Sequence, residues 1–573
     1  MDSSPEMASI LLDSDTSSSY EDETGLVLIP KTFPDLLAAR SNACPKQLAL
    51  DSCVRQWTYS QLQRHVAVVA DVLQQTGVGP GERVGMCFDL SPWAVVAILA
   101  SMTLGAAVVP VYPYHAKPRR TTMFREARVR FVIVQDHQYG KDLDDSGYTI
   151  IRLMDIDFDA EPRPVINAVS RPEDPAFIAF TSGTTGKPKG IVQTQQAIVT
   201  MSTTLARYLN VQDTSRVSQL HPYVFDVSVM EIGMCLATGA MICLTDKGEM
   251  MLPSAGEIGP ELTKSRITHT TVSPTMLNMM EPAEIPTVRV LSVMGEPLGR
   301  NAIEKWASCE SRSFYQLWGA TEACILQTIT TPITKSDRPQ NIGYPLLGAC
   351  RLWIADPSCP DTLLKDGDVG EIVVESRALA TEYIGREEET AKAFLGQTKW
   401  QDDRSHGRVY RTGDLGRKQN DGSVIFLGRN DNQMNFHGER IELGEIDYHL
   451  ERCRPAGVLD CFAEFDEGRQ IVIGFVSGTR VSRSHSQSED LVVGWNEAVA
   501  EKQEMVAFTQ RLLSDGELPD YMVPRYWIPI HRRPLTASGK TDRSLLRKMV
   551  RGFDATQWQE FEVRSASMPL YHY

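Results

Sequence analysis

The chain has 573 residues, of which 42% are apolar and 23% are charged. This is the composition of a globular protein too long for one hydrophobic core, so we expect several subdomains. A formal net charge of −15 at pH 7 argues against a protein that mainly binds the nucleic acid backbone, because that role requires a basic surface.

Residues 1–30 are predicted to form a disordered tail that is acidic and rich in serine. The first basic residue is Lys31, whereas secretory and mitochondrial targeting sequences carry basic residues early. The eleven cysteines include no CxxC pair, which favours reduced thiols over disulfides or a zinc site. Together these features predict a cytoplasmic protein.

One apolar stretch, "WAVVAILASMTLGAAVVPVY" at 93–112, is long enough to cross a membrane. Gly105 and Pro110 divide it into a helix-like part and a β-branched part. This pattern predicts a buried helix followed by a buried strand rather than a membrane span.

From residue 57 to 430, short Val/Ile-rich runs alternate with helix-like stretches such as 194–209. The alternation predicts parallel sheets covered by helices, with a site at the carboxyl ends of the strands. The texture changes near "GRNDNQ" at 428. We therefore predict a large domain over 31–430, a small α+β domain over 431–548 and a tail over 549–573.

The segment "AFIAFTSGTTGKPKG" at 176–190 begins with a predicted strand and continues into a loop. The loop contains three glycines, four hydroxyl side chains and two lysines. Glycines allow close approach to an anion and the lysines supply charge, so the loop suits a polyphosphate, although alone it also fits a surface turn. It is not a Walker loop, because Thr181 stands at the first glycine position and Pro188 follows Lys187.

Ten segments in order resemble the adenylate-forming superfamily, and within it the adenylation domains of nonribosomal peptide synthetases. They are "WTYSQL", "TLGAAVVPV", "TSGTTGKPKG", "FDVS", "YQLWGATEA", "GEIVV", "YRTGDL", "GRNDNQMNFHGERIELGEID", "LPDYMVP" and "LTASGKTDR". The resemblance implies an α/β fold: a large domain of parallel-rich sheets with a small β-barrel-like part, and a small mobile α+β domain. It also implies that ATP and a carboxylic acid give an acyl-adenylate and pyrophosphate, after which a thiol attacks.

The same resemblance assigns an ATP site and a catalytic lysine. The implied ATP-binding residues are Thr181, Ser182, Gly183, Thr184, Thr185, Lys187, Asp414 and Arg429. Asp414 is expected to accept the ribose hydroxyls, Thr321 to contact phosphate, and Glu322 to bind Mg²⁺ through hard oxygen atoms. Lys540 is implied to reach from the small domain to the substrate carboxylate and the α-phosphate.

Asp226 in "FDVS" stands where amino-acid-activating members place the carboxylate that pairs with the substrate ammonium. A buried carboxylate with no local cation needs such a partner, so we expect an amino acid substrate. The implied substrate pocket is formed by Phe225, Asp226, Val227, Met230, Thr271, Ser292, Met294, Leu317, Ile325 and Leu326. Apart from Asp226 the pocket has no charge, which predicts a neutral side chain of small or medium size.

Two further features concern the second half-reaction, in which the thiol attacks the acyl-adenylate. Asp431 is implied to be the hinge about which the small domain rotates. No "GGxS" segment follows Arg543, so a phosphopantetheine thiol is expected from a carrier protein on another chain, whether the chain is a free-standing enzyme or a piece of a larger synthetase. No nucleic acid or membrane partner is expected.

Other readings stay open at this point. The family usually has Tyr and Pro where Trp318 and Ala320 stand, which concerns specificity more than catalysis. The alternatives are an acyl- or aryl-CoA ligase, a ligase that passes the adenylate to an amine, a luciferase-like enzyme and a degenerate binding module. The last is disfavoured because five implied functional residues are intact: Lys187, Glu322, Asp414, Asp431 and Lys540.

Overall fold

The structure is a computed structural model. It describes residues 20–21, 25–52, 55–139, 141–163, 170–181, 188–244, 258–309, 311–401, 407–429, 433–436, 439–455, 458–466, 468–478, 492, 495, 502–534 and 541–563. These residues fall into two compact units: unit 1 lies within 1–113, 124–179 and 190–430, and unit 2 lies within 114–123, 180–189 and 431–573.

Two segments that the sequence assigned to the large domain, 114–123 and 180–189, belong to unit 2. For the first of them a buried ion pair gives the physical reason. Arg119 Nη1 donates to Glu445 Oε1 at 3.0 Å and to the main-chain oxygen of Glu517 at 3.3 Å. Both side chains of the pair are almost completely buried.

One of the two large sheets has six strands. In spatial order its strands are Lys189–Thr194, Pro175–Thr181, Ala107–Val111, Arg83–Cys87, Phe131–Val134 and Thr149–Arg152. The four strands from 107–111 to 149–152 are parallel to their neighbours. Every residue of 107–111 and 131–134 is buried, as in parallel sheets that helices cover on both faces.

The apolar stretch 93–112 forms the helix Pro92–Thr103 and the strand Ala107–Val111, as the sequence predicts. Gly105 breaks the helix in a left-handed conformation with φ of +68°. Pro110 makes no second break, since it lies inside the strand opposite Met86. Across the described part of the chain, every helix is too short or too polar to cross a bilayer.

A second sheet of fifteen strands contains a parallel half and an antiparallel half. Its strands in order are Cys359–Leu363, Cys350–Asp356, Gly370–Ser376, Arg408–Lys418, Val424–Arg429, Asn341–Pro345, Thr328–Ile329, Ser313–Trp318, Val290–Val293, His269–Val272, Arg216–Gln219, Met241–Leu244, Leu48–Ser52 and Gln56–Thr58, with Phe394–Leu395 paired beside 408–418. From 313–318 to 48–52 the strands are parallel. The sequence resemblance implied a small β-barrel-like part, and the antiparallel half of this sheet corresponds to it. Among the described strands, the pairing order is linear and does not close into a barrel.

Helices flank these sheets. They are Phe33–Ala43, Tyr59–Thr76, Pro92–Thr103, Lys117–Glu126, Gln195–Tyr208, Asp226–Thr238, Ile258–Lys264, Pro274–Asn278, Arg300–Trp306 and Glu387–Ala393, with short 3₁₀ turns at Lys141–Ser146, Leu153–Asp155, Pro282–Glu284 and Thr321–Ala323. Tyr59–Thr76 shows why such helices start and stop: Thr58 caps its first turn and Gly77 ends it in a left-handed conformation.

The helices Gln195–Tyr208 and Asp226–Thr238 pack closely against each other. A Cβ atom at Gly233 would lie 2.5 Å from Ser202 Oγ, so only glycine allows this approach. The first eleven residues of 226–238 are all buried. Tight packing on all sides fixes the N-terminus of this helix, where Asp226 lies.

Unit 2 combines a three-stranded sheet with helices, which confirms the predicted α+β class. Its strands are Val458–Asp466, Ile471–Gly478 and Tyr526–Pro529, a hairpin joins Gln433–Phe436 to Glu439–Glu442, and its helices are Leu443–Arg452, Lys502–Asp515, Asp520–Met522 (3₁₀), Arg543–Arg551 and Ala555–Phe561. Helices cover both faces of the sheet with apolar side chains.

Both predicted tails contain ordered elements. Strands Tyr20–Glu21 and Val27–Leu28 pair in the N-terminal segment that was expected to be disordered. In 549–573 the helix Ala555–Phe561 buries Trp558 and Phe561. These two aromatic rings pack into the core of unit 2, and this apolar burial accounts for a helix where the sequence suggested a tail.

Candidate active site

Asp226 is the first residue of the helix Asp226–Thr238 and is 6% exposed. Burial raises the pKa of this carboxyl to about 6, and the negative charge of Glu322 adds to the rise. Hydrogen bonds from Gln193 and Thr321 act in the opposite direction. Because a helix N-terminus favours negative charge, the carboxylate form stays accessible at neutral pH.

Gln193 joins Asp226 to the segment that follows the strand Ser313–Trp318. Its Nε2 donates to Asp226 Oδ2 at 2.8 Å and to the main-chain oxygen of Thr321 at 2.9 Å. Gln193 itself is completely buried. The predicted ammonium ligand and the predicted phosphate contact are therefore held by one side chain.

Glu322 lies in the 3₁₀ turn Thr321–Ala323 and has no exposed surface. Tyr383 Oη donates to Glu322 Oε1 at 2.9 Å, and the N–H of Ala380 donates to the main-chain oxygen of Glu322 at 2.9 Å. Both the carboxylate and its backbone are thus fixed. A hard carboxylate oxygen so held fits a Mg²⁺ ligand, since Mg²⁺ binds through one or two carboxylates plus phosphates.

Asp414 and Arg429 face each other on the neighbouring strands Arg408–Lys418 and Val424–Arg429. Arg429 Nη1 donates to Asp414 Oδ1 at 2.5 Å, and Trp318 Nε1 donates to Asp414 Oδ2 at 3.1 Å. The carboxylate is 7% exposed. Each oxygen therefore has a fixed donor, which orients the group for the ribose contact that the sequence predicts.

The predicted pocket residues lie on one helix, on three adjacent strands and on the segments that flank them. Val227 and Met230 are on the helix Asp226–Thr238, which Phe225 precedes. Their apolar side chains join one buried cluster, against which Met294 packs: Val227, Met230, Leu317, Ile325 and Leu326. Thr271 and Ser292 are partners on adjacent parallel strands, and their hydroxyl oxygens are 2.8 Å apart in a hydrogen bond.

A tight turn brings these groups together. A Cβ atom at Gly319 would lie 2.2 Å from the main-chain oxygen of Ile325, so the chain folds back on itself at a glycine. Cys324 and Ile325 then adopt left-handed conformations with φ of 66° and 81°. Such backbone costs energy in residues other than glycine, and it persists here in a buried turn beside Asp226.

Several predicted residues lie outside the described residues: Ser182, Gly183, Thr184, Thr185, Lys187, Asp431 and Lys540. Thr181 ends the strand Pro175–Thr181, and its buried hydroxyl has no hydrogen-bond partner among the described residues. A buried hydroxyl of this kind fits a ligand oxygen. Within the same described part, no cluster of three or more His, Cys, Asp or Glu forms a metal site of its own.

Three contacts of the site were not anticipated from the sequence: those of Gln193, of Tyr383, and of Trp318 with Asp414. Gln193 and Asp226 are 33 positions apart, and Tyr383 and Glu322 are 61 apart. Gln193 directly follows the apolar residues "GIV" and begins the polar run "QTQQ", so no local signal in the sequence distinguishes it from its polar neighbours.

Comparison with known sequences gives consistent matches. The family model described as AMP-binding enzyme matches residues 37–384. Nonribosomal peptide synthetase 8 of Aspergillus fumigatus is 32% identical over 526 residues, which are 88% of this chain and 6% of that protein. Nonribosomal peptide synthetase 9 of Gibberella zeae is 32% identical over 550 residues, which are 93% of this chain and 65% of that protein. The chain thus spans only a small part of the first relative.

Solved structures share the fold at low identity. Holo-PA1221, a nonribosomal peptide synthetase protein containing adenylation and PCP domains, aligns with a TM-score of 0.74 and 21% identity, over 93% of this chain and 87% of that one. A double mutant of o-succinylbenzoate CoA synthetase from Bacillus subtilis gives 0.72 and 19%, over 90% and 98%. Amide bond synthetase McbA from Marinactinospora thermotolerans gives 0.73 and 19%, over 91% and 99%.

Proposed function

Because the chain belongs to the AMP-binding enzyme family of adenylate-forming ligases, we propose that it activates a neutral α-amino acid as its aminoacyl-adenylate. The family model covers more than half of the chain, and the relatives described above are nonribosomal peptide synthetases. The chain is therefore an adenylation enzyme of that type. The substrate and the acceptor are the proposed parts.

One comparison within a single helix carries the proposal of an amino acid. Asp226 and Glu231 are both buried carboxylates of the helix Asp226–Thr238. Glu231 is bound by His221 Nδ1 at 2.7 Å and by Gln219 Nε2 at 2.5 Å, so a group that can carry positive charge already faces it.

Asp226 has a different environment. The groups that shift its pKa are the Gln193 amide, the Thr321 hydroxyl and the Glu322 carboxylate, and no described cationic side chain is among them. A buried carboxylate beside a second carboxylate favours a cationic partner. An α-ammonium group of the substrate supplies that charge.

The pocket walls support a neutral side chain. Val227, Met230 and Leu317 are apolar and buried. The two polar side chains of the predicted pocket, Thr271 and Ser292, form a hydrogen bond with each other and so need no charged partner. A charged substrate side chain would be desolvated here without compensation, which costs several kcal/mol, on the order of that for other unpaired buried ions.

The proposed reaction needs positioning rather than covalent catalysis. A carboxylate oxygen of the amino acid attacks the α-phosphorus of ATP, and the bond from that phosphorus to the bridging oxygen of the β-phosphate breaks. Pyrophosphate leaves with the electron pair. Asp414 would hold the ribose, Thr181 and Lys187 the terminal phosphates, and Lys540 would neutralise charge at the α-phosphate. Glu322 would hold Mg²⁺, which supplies charge neutralisation between the phosphates.

We propose further that the acyl group passes to the phosphopantetheine thiol of a carrier protein supplied in trans. Between adenylation and this transfer, the small domain would rotate about Asp431. The thiolate attacks the acyl carbon, a thioester forms and AMP leaves. The test is to incubate the enzyme, ATP and the labelled amino acid with a separate phosphopantetheinylated carrier. Label on the carrier supports the proposal, and label on CoA or on a free amine instead would identify a CoA ligase or an amide ligase.

The adenylation step is tested by exchange of labelled pyrophosphate into ATP, over a panel of amino acids, aryl acids and fatty acids. Neutral amino acids of small or medium size should give the highest kcat/KM. Preference for an aryl or fatty acid would refute the proposed substrate class while leaving the adenylation chemistry intact.

A further inference from the structure

Gln193 is a buried amide with one half of its hydrogen-bonding capacity used. It lies in the strand Lys189–Thr194 with no exposed surface. Both hydrogens of Nε2 are donated, to Asp226 Oδ2 at 2.8 Å and to the main-chain oxygen of Thr321 at 2.9 Å. Its carbonyl oxygen Oε1 is buried and has no hydrogen-bond partner among the described residues.

The chemistry of the neighbours fixes the orientation of this amide. The main-chain oxygen of Thr321 can only accept a hydrogen bond, so the atom of Gln193 that faces it must be nitrogen. Rotating the amide by 180° would place Oε1 against that carbonyl and leave the nitrogen unbonded. The acceptor without a partner is therefore Oε1, and native proteins rarely leave such an atom buried unless a ligand or water satisfies it.

The position of Oε1 follows from the geometry of an amide. The oxygen and nitrogen of a carboxamide are roughly 2.3 Å apart, so Oε1 lies at most about 5 Å from Asp226 Oδ2. One ammonium nitrogen can donate to two acceptors this far apart at about 2.8 Å from each. A neutral hydroxyl group, with its single hydrogen, can donate to only one of them.

We propose that Gln193 Oε1 is the second acceptor for the α-ammonium group of the substrate, beside the carboxylate of Asp226. This inference rests on the proposed amino acid substrate and adds a residue that reads the α-substituent. Gln193 thus acts twice: Nε2 orients Asp226, and Oε1 binds the substrate. The pair selects an α-amino acid over the 2-hydroxy acid of the same side chain.

The test replaces Gln193 with methionine, which keeps the length of the side chain and removes both polar atoms. Gln193→Met should raise the KM for the best amino acid by roughly 10-fold to 100-fold, the effect of one hydrogen bond to a charged group. The KM for ATP should stay within about two-fold. The preference for the amino acid over its 2-hydroxy analogue, as a ratio of kcat/KM, should fall by a similar factor.

A pH series separates binding by Oε1 from an effect through Asp226. If Gln193 only kept Asp226 ionised, the defect of Gln193→Met would shrink between about pH 7 and about pH 8.5, because a larger fraction of Asp226 is ionised at the higher pH. Loss of a direct acceptor should persist across this range. Recovery at the higher pH would overturn the role of Oε1.

Gln195 offers a matched control, since it is also a completely buried glutamine. It bonds instead to the main chain of Phe33 and Met102 and to Ser170. Gln195→Met should lower the thermal midpoint without changing the amino-to-hydroxy selectivity. Gln193→Leu is a second variant in case Gln193→Met folds poorly.

Unchanged KM and unchanged selectivity in a folded Gln193 variant would refute the inference while the proposed function stands. Failure of the proposed function looks different: the wild-type enzyme itself would exchange pyrophosphate with the 2-hydroxy acid as well as with the amino acid, and the inference would fail with it.

Discussion

Replacing Asp226 with asparagine should stabilise the ligand-free protein at neutral pH while it removes affinity for the amino acid. Burial raises the pKa of this carboxyl from its ordinary 3.8 to about 6. The folded protein therefore holds the proton more tightly than the unfolded chain does. The resulting stabilisation is fully present below about pH 3.8 and is lost as the pH rises through about 6.

The magnitude follows from that shift. A difference of roughly two pKa units corresponds to about 3 kcal/mol, so the ionised carboxylate destabilises the ligand-free protein by up to that amount at pH 7. Asparagine stays neutral and can still accept from Gln193. Asp226→Asn should thus raise the thermal midpoint by several degrees at about pH 7.5 and by roughly a third as much at about pH 4.5.

The binding side has the opposite sign. Removing one partner of a buried charge pair costs about 3 to 5 kcal/mol, so the KM for the amino acid should rise at least about 100-fold while the KM for ATP stays nearly constant. Scanning calorimetry at the two pH values and pyrophosphate exchange measure the two effects. Asp213→Asn, which changes an exposed carboxylate, is the control. A lower midpoint for Asp226→Asn at both pH values would show that the carboxylate supports the fold instead of the substrate.

Three further perturbations test other parts of the site. Trp318→Phe removes the donor to Asp414 and should raise the KM for ATP about 10-fold; an unchanged value in an ATP titration would contradict the ribose assignment. Tyr383→Phe releases the buried glutamate that it binds and should weaken binding of Mg²⁺ and ATP together in titration calorimetry, and equal affinity with wild type would refute its positioning role. Lys540→Ala should abolish adenylation but spare transfer from a preformed adenylate. Asp431→Pro should spare adenylation but abolish transfer, because proline fixes φ and limits rotation at the hinge. Equal loss of both half-reactions in both variants would refute the proposed rotation of the small domain.

The order of elements was predictable because periodicity is local. The stretch 93–112 gave a helix and a strand in the right order, since a glycine in a left-handed conformation breaks a helix wherever it stands. Pro110 lies inside that predicted strand. It occupies a strand buried between two parallel neighbours, a place where a missing N–H is normally unfavourable.

From the sequence, the candidate site could be proposed only as far as the motifs indicate its residues. The segment "WGATEA" indicated Thr321 and Glu322, but nothing adjacent in the chain indicated that Tyr383 would bind the carboxylate. Gln193 shows the limit most clearly. Its two hydrogen-bond partners are 33 and 128 residues away, so its role depends on how the strand 189–194 packs against two distant segments.

The segments 114–123 and 180–189 illustrate the same limit for domain organisation. Their sequence continues the α/β alternation of the large domain without a break. The contacts of Arg119 with Glu445 and Glu517, more than 300 residues away, place the first segment in unit 2. A buried ion pair of this kind leaves no local pattern in the sequence.

The most direct test of the proposed amino acid substrate is made on the wild-type enzyme. It compares the rate of pyrophosphate exchange with the best amino acid and the rate with its des-amino analogue. The buried Asp226, which no described cationic side chain neutralises, predicts that the analogue loses at least about 100-fold in kcat/KM, because the carboxylate would then be desolvated without a cation. Equal exchange with the two acids would contradict the claim that this enzyme recognises an α-amino group.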